Sequence, residues 1–328
     1  MDDIRIYDTA FKLMHIEDKV ISSNWTVKFN SVGSFEIHTL ADTETAGIIL
    51  DNLNVEQNKI PVITQGNLQG VVTGIRLSDD CAIYGKTLNW FLSKKIVPKF
   101  VSGEMLPNKS VEDVVRQLVS DAFADQPDFI LGKKVGLDLV EPIWRNTYNP
   151  LSEVVADILD KHHAGHKVVF DAKEKRWIFE IVPCRHSNTI ISPAMGNAFA
   201  QEYTYNVDSY SSECWYQQEQ EFIEGEFPEP VWTKLVKDEK NGIFRMECVV
   251  DAVDEYDATI MLDKKPVSAE IVTDLCGLSR GEDFDIGDIL RVQFTKGEIA
   301  RTAMKQIAGI SLGWENGVHT REVILKDI

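Results

Sequence analysis

Between Ser23 and Leu40 apolar and polar positions alternate, with Trp25, Val27 and Phe29, then Phe35 and Ile37, separated by Asn30-Ser31-Val32-Gly33. A period of two interrupted by turn residues predicts an amphipathic β-hairpin with one buried face. The same texture returns at Gly74–Lys86, Val168–Val182 and Phe284–Leu325, so a β-rich chain of repeated hairpins is expected. Further strands are expected at Ile4–Tyr7, Phe11–His15, Lys19–Ser22, Ile60–Gln65, Val71–Leu77 and Cys81–Tyr84, the last two turning at Asp79-Asp80, with one helical turn at Leu88–Leu92. Short strands and polar turns at this frequency predict a barrel or a sandwich.

Two helices interrupt the strands. From Ser110, Val111, Val114, Val115, Leu118, Val119 and Ala122 fall on one helical stripe, and Ser110 and Asp113 are placed as a capping box. The second is expected to start at Asn149 as N-cap with Pro150 at N1, to turn Leu151, Val154, Val155, Ile158 and Leu159 inward, to carry Lys161, His162 and His163 in its last turn, and to stop at Gly165. A hairpin of Lys167–Phe170 and Arg176–Val182 follows, then strands at Thr189–Ser192, Phe199–Asn206, Ser212–Tyr216, Val231–Leu235 and Phe244–Val250, with a Glu-rich surface loop over 217–230. The last strands are Ile289–Phe294, Thr302–Leu312 and His319–Leu325, the final pair turning at Glu315-Asn316-Gly317. The chain divides into a β part at 1–105, an α+β part with two helices and a hairpin at 106–190, and a second β part at 191–328, interleaved with the others.

At 328 residues, 44% hydrophobic and 26% charged, the chain is long enough for two or three packed domains and ordinary for a globular protein. Charge narrows the functions. With 34 basic against 52 acidic residues the net charge is −18, which disfavours duplex nucleic-acid binding through phosphate neutralisation. The start, Met1-Asp2-Asp3-Ile4-Arg5, lacks the basic and apolar runs of an export signal, and no segment reaches the roughly 18 apolar residues that span a bilayer. Cys81, Cys184, Cys214, Cys248 and Cys276 are odd in number and include no CxxC pair, so neither a disulfide framework nor a zinc ribbon is expected, and folding in a reducing cytoplasm fits.

His162, His163 and His166, with Cys184 and His186, form the obvious metal candidate, but two adjacent helical histidines point about 100° apart, so packing roles are expected instead. Asp251, Asp254, Glu255 and Asp257 lack the glycine and the terminal glutamate of a calcium loop and read as a solvated loop. Glu219 and Glu221, or Glu224 and Glu226, are the closest carboxylate pairs to a glycosidase set, in a loop with no evident pocket. No GxSxG, P-loop, GxGxxG or HExxH sequence occurs. Trp25, Trp90, Trp144, Trp177, Trp215, Trp232 and Trp314 are spread along the chain, as for core or interface packing. Hence no catalytic, cofactor-binding or metal-binding residue is assigned.

Several segments in order carry a resemblance: the strands ending near Asp8, the Trp25–His38 hairpin, Gly74-Ile-Arg-Leu, Tyr84-Gly-Lys-Thr-Leu, Ser110-Val-Glu-Asp-Val-Val, Asn149-Pro-Leu-Ser-Glu-Val-Val, the Val168–Phe170 and Trp177–Ile181 hairpin, Ile191-Ser-Pro with Gly196-Asn197, and Phe284-Asp-Ile-Gly-Asp-Ile-Leu-Arg-Val. The succession resembles the tail hub proteins of siphophages and contractile phages, the siphovirus Gp37-like group, also found in prophages and phage-tail-like bacteriocins. It departs at Asp251–Pro266, where the family has a longer helical segment and Tyr256–Leu262 is short enough to be a strand. The resemblance implies a mainly β fold, with two tube-like β-barrels and an inserted two-helix and hairpin domain. It implies a structural, non-enzymatic baseplate hub or tail-tip protein without cofactors. Three subunits would form a ring that joins the tail tube to a central spike or tip, beside distal ring or baseplate proteins. DNA would pass through its channel without specific binding, with no membrane anchor. The implied location is the virion tail or tail-like particle, after assembly in the bacterial cytoplasm. The alternative is a cell-wall-active peptidoglycan hydrolase or a carbohydrate-binding tail module. A chain ending at Ile328, just after the last hairpin, is expected to carry no downstream hydrolase or receptor-binding extension.

Overall fold

A computed structural model describes residues 3–41, 44–57, 59–97, 100–101, 109–137, 145–146, 148–217, 231–252, 254–263, 268–315 and 317–328. It is mostly β, at 50% strand and 19% helix. The chain forms two compact units, one of residues 1–201 with 272–326 and one of residues 202–271.

In the larger unit the first strands are β1 (Ile4–Tyr7), β2 (Leu13–Glu17), β3 (Val20–Lys28), β4 (Ser34–Leu40), β5 (Val62–Gln65), β6 (Leu68–Leu77) and β7 (Asp80–Thr87). Alternation does its work in β4, where Phe35, Ile37 and Thr39 are buried and Glu36 is exposed. Trp25 sits opposite Phe35 and stacks on it at 4.5 Å between ring centroids. Both join a core of Ile4, Ile6, Ile37, Ile63, Val72 and Ile83. Burial of each such side chain contributes roughly 1.5–3 kcal/mol. The rings need room on one side, and glycines provide it: a Cβ on Gly70 or Gly85 would lie 2.6 or 2.5 Å from the Phe35 ring.

Helix α1 (Glu44–Asn52) covers this core with Ala46 and Ile49, an element that the sequence pattern did not predict. Its apolar run Ile48-Ile49-Leu50 is too short to show a helical period, and Gly47 interrupts it. Phe11, expected to open a strand, lies in a turn at φ 64°, where the Asp8 carboxylate accepts the N–H groups of Ala10 and Lys12.

After the short helix α2 (Trp90–Ser93) and strand β8 (Phe100–Val101) come α3 (Val111–Ala122), β9 (Phe129–Leu131), β10 (Arg145–Asn146), α4 (Leu151–Asp160), β11 (Ala164–Asp171) and β12 (Arg176–Pro183). Ser110 caps α3 as its pattern predicts: its Oγ accepts the Asp113 N–H at 3.1 Å and donates to the Asp113 carboxylate. The α3 and α4 stripes pack over the sheet β11-β12-β9, burying Val115, Leu118, Val155, Ile158, Phe170 and Phe179 in one core. Here the structure corrects two boundaries. Pro150 takes the N-cap position of α4 without a side-chain cap, while the Asn149 carbonyl accepts from Val97. At the other end α4 stops at Asp160, His163 takes the left-handed conformation (φ 50°), and Gly165 lies inside β11. Gly165 serves a close approach instead of a cap, since its Cβ would fall 2.3 Å from the Phe29 ring.

The remaining elements are β13 (His186–Ile191), β14 (Ala198–Asn206), β15 (Glu213–Gln217), β16 (Trp232–Val236), β17 (Glu247–Val249), α5 (Glu255–Asp263), β18 (Ser268–Leu275), β19 (Ile289–Lys296), β20 (Ile299–Glu315) and β21 (Val318–Lys326). Strand β18 was not predicted. Tyr256–Leu262 proves helical, within α5, because Asp254 caps it by accepting the Asp257 N–H at 2.9 Å and Ala258 and Leu262 turn inward. The predicted strand Phe244–Val250 shrinks to β17 after a 3₁₀ turn at Gly242–Phe244. The Asn316 turn residue lies outside the described residues, with Gly317 beside it at φ 81°.

Strand β20 organises the larger unit. Residues 299–306 pair with β19, 306–315 with β21, and 309–315 also with β3. One 13-stranded sheet therefore runs β14-β18-β21-β20-β3-β4-β7-β6-β5-β1-β2, with β19 and β13 branching from β20. In the smaller unit α5 packs on the sheet β16-β15-β17 over Cys214, Tyr216, Val250 and Ala252.

Candidate functional site

The candidate ligand residues do not converge. His166 is buried, and its Nδ1 donates to Asn30 Oδ1 at 3.1 Å, which leaves Nε2 unprotonated and without a hydrogen-bond partner. Burial alone holds its pKa down to about 4, so the ring is neutral. The Cys184 sulfur accepts from Gln306 Nε2 at 3.1 Å, and burial pushes its thiol up to about 11, far from a reactive thiolate. Among the described residues no group of three or more His, Cys, Asp or Glu side chains is arranged to hold a metal ion, and no helix is long and apolar enough to cross a membrane. Asp254 and Asp257 belong to the α5 cap, whereas Glu219, Glu221, Glu224 and Glu226 lie outside the described residues, as does Trp144.

What the side chains do build is a set of closed strand edges. In an antiparallel pair, alternate residues point their N–H and C=O groups away from the partner, so an outer strand is open to any other chain. Strand β11 is such an outer strand, and three amides from other elements occupy its open side. Asn30 Nδ2 donates to Ala164 O at 2.9 Å while Asn30 Oδ1 accepts the His166 N–H at 2.9 Å. Asn89 Nδ2 donates to His166 O at 3.5 Å and Asn89 Oδ1 accepts from Val168 at 3.0 Å. Gln69 closes the series by donating to Phe170 O at 2.9 Å and accepting from Phe170 N at 2.8 Å. A carboxamide carries one acceptor beside one donor group, the same pair that a neighbouring strand would offer.

The device recurs. Asn197 bridges Ile190 O on β13 and the N–H of Ser192 just beyond it, and Gln201 bridges Gln293 O and Thr295 N on β19. None of the five amides is distinguishable in the sequence from an ordinary turn or surface polar residue. Loss of one amide leaves two backbone groups unsatisfied, at about 1–3 kcal/mol. Gln69→Ala is accordingly expected to lower the unfolding free energy by about 2 kcal/mol in urea titration, and an unchanged midpoint would show that this amide does not hold β11.

Open surfaces remain elsewhere. Beyond Gln306 the second edge of β20, from Ile299 to Lys305, has no strand beside it among the described residues, and residues 295–304 are all exposed. In the smaller unit the alternation that buries Cys214 and Tyr216 under α5 sends Glu213, Trp215, Lys234 and Glu247 to the opposite face. There Glu213, only 3% exposed, pairs with Lys234 and with Arg245 at 3.0 Å, Glu247 pairs with both bases, and Lys234 lies over the Trp215 ring at 5.7 Å. The arrangement offers packing and pairing surfaces, with acids and bases matched to one another.

The family profile described as siphovirus ReqiPepy6 Gp37-like protein matches residues 3–212. Among solved structures, the 43 kDa tail protein of prophage MuSo2 from Shewanella oneidensis superposes with a TM-score of 0.58 at 11% identity, over 100% of this chain and 98% of the other. A tail protein from Neisseria meningitidis MC58 gives 0.56 at 12% identity over 99% and 96%, and prophage tail protein gp18 from Listeria monocytogenes EGD-e gives 0.51 at 12% over 99% and 94%. At such identities the likeness is one of fold. No curated protein matches the chain in sequence.

Proposed function

The chain belongs to the siphovirus ReqiPepy6 Gp37-like family of tail proteins, and from that premise we propose that it is the baseplate hub or tail-tip protein of a phage tail or tail-like particle. In this reading three copies form a ring that joins the tail tube to the central spike or tip, with distal ring or baseplate proteins around it. The role is structural and not catalytic.

The observation that carries the reading is the single sheet that links β1–β7 to β18–β21 through the β3–β20 pairing. Twisted open sheets rarely exceed about ten strands without curling, so 13 strands favour two tube-like barrels sharing a wall over one flat layer. Rigid curved walls suit a ring around a channel, and closed rotational symmetry is the usual oligomer solution. Three copies together carry three times the net charge of −18, and acid facing the channel would let DNA slide without sticking.

Cryo-electron microscopy of the assembled particle tests the proposal. Three copies around the axial channel at the distal end are the expected result. Copies repeated along the tube, or placed at the periphery of the particle, would overturn it.

A further inference from the structure

We propose that a cleft in the larger unit, where β3, β20 and β21 run side by side, binds a small organic carboxylate with an apolar body. The site stands apart from the assembly the chain enters, and all its lining residues belong to one compact unit.

Register builds the cleft. Trp25, Leu312 and Arg321 lie opposite one another on β3, β20 and β21, and Ser23, Trp314 and His319 form the next row. The rows are two residues apart, so all six side chains take one face of the sheet. Trp25 and Leu312 belong to the core under α1, which makes this the inner face, whereas Glu315 and Glu322 alternate to the outer one. Gln65 and Leu68 from the β5–β6 turn close one side, and Leu275 and Leu278 at the end of β18 and beyond it close another. The space enclosed is about 470 Å³, within the range of small-ligand pockets.

The polar groups that line it select an anion. Arg321 spends Nη1 on the Leu278 carbonyl and stands over the Phe284 ring at 5.9 Å, so its guanidinium is held from two sides. It has no acid to pair with. Its Nε is buried without an acceptor, and none of the described lining residues is Asp or Glu, in a chain with 52 acids against 34 bases. A buried donor left unpaired carries a cost that a bound acceptor removes. Gln65, only 7% exposed, gives its Oε1 to the Trp25 indole N–H at 2.7 Å, so what it has left to offer is an NH2 group. With Nη1 taken, the Nε and Nη2 edge of Arg321 remains, and its two parallel N–H groups match the two oxygens of a carboxylate. Leucines and the Trp314 indole supply the rest of the wall, which suits an apolar body and offers a bare inorganic anion nothing.

Calorimetric titration of the full chain with phenylpropionate at neutral pH, beside its uncharged amide and inorganic phosphate, tests the site. Wild type is expected to bind the acid at one site per chain, about tenfold or more tighter than the amide or phosphate. Arg321→Lys keeps the charge without the fork and should lose about tenfold in affinity. Should that variant fail to fold for want of the Leu278 contact, nuclear magnetic resonance of wild type decides: the Trp25 and Trp314 indole N–H signals should move with added acid while the other indoles stay. Absence of binding, equal affinity for acid and amide, an unaffected Arg321→Lys protein, or shifts confined to other indoles overturns the proposal. Phosphate bound as tightly as phenylpropionate would make the cleft a simple anion site and also overturn it. A short peptide ending in a free Phe carboxylate that binds far more tightly than phenylpropionate would assign the cleft to a chain terminus, and the small-molecule reading would fall.

Discussion

Gly85→Val is expected to abolish folding of the larger unit, or to lower its stability by at least about 3 kcal/mol. Any Cβ at this position would lie 2.0 Å from the Val71 carbonyl oxygen and 2.5 Å from the tip of the Phe35 ring. Neither neighbour can withdraw. Val71 is fixed in the β6–β7 ladder, and Phe35, paired directly with Gly85, is pressed from its other side by Trp25. Trp25 is itself held by a hydrogen bond of 2.7 Å from its indole N–H to Gln65 Oε1. The clash would therefore spread through three strands. Gly47→Ala supplies the contrast, because a Cβ there meets nothing within 4 Å on helix α1, and the change should stabilise by up to about 1 kcal/mol. Thermal and urea unfolding of both variants decide the matter; a Gly85→Val protein that melts with wild type would mean that the Phe35 stack is not the keystone of this core.

Acid should weaken the fold through His166. In the folded chain burial holds this ring to a pKa of about 4, against 6.5 for a free side chain. The unfolded chain thus binds a proton that the folded chain refuses throughout that interval, and stability falls as pH drops from about 6.5 to about 4. A shift of this size corresponds to about 3 kcal/mol by pH 4, with no further loss from this group below it. Protonation has no outlet, for Nε2 has no partner, the ring lies along Phe179 at 6.0 Å, and Nδ1 already faces Asn30. His166→Phe keeps a flat ring and removes the proton site, although it gives up one hydrogen bond to Asn30. Its unfolding free energy should change less between pH 7 and pH 4.5 than that of wild type, by about 2–3 kcal/mol. Equal pH slopes for the two proteins would rule out His166 as the source.

The hairpins were readable in the residues because a period of two survives wherever one face is buried, as Phe35 and Ile37 on β4 show. Helix α3 was readable for a different reason: Ser110 and Asp113 mark its start, and six apolar positions keep its stripe. Elsewhere local chemistry misled. Gly165 follows a basic cluster as a cap glycine would, yet its lack of a side chain serves the Phe29 ring, a contact across more than a hundred residues of sequence. Gly287, at φ 85°, leaves room for the same ring from another element. Helix α1 and strand β18 have patterns too short or too mixed to declare a period. The family resemblance was legible in the order of weak turn and stripe motifs, and the profile match over residues 3–212 shows it. The amide contacts on β11, β13 and β19 and the exposed face around Trp215 were not, since the identity of an Asn or Trp says nothing about which backbone or solvent it meets until the strands are paired.

The length of β20 has a mechanical consequence. Seventeen residues of extended chain reach about 55 Å, from the exposed hairpin with β19 at one end to the turn with β21 at the other. A pull along that axis loads the β20–β21 and β20–β3 ladders in shear, so that many hydrogen bonds must give way together, whereas a sideways pull would unzip them singly. The strand is thus a tension member, and force applied at one of its ends is passed to the other without first opening the sheet.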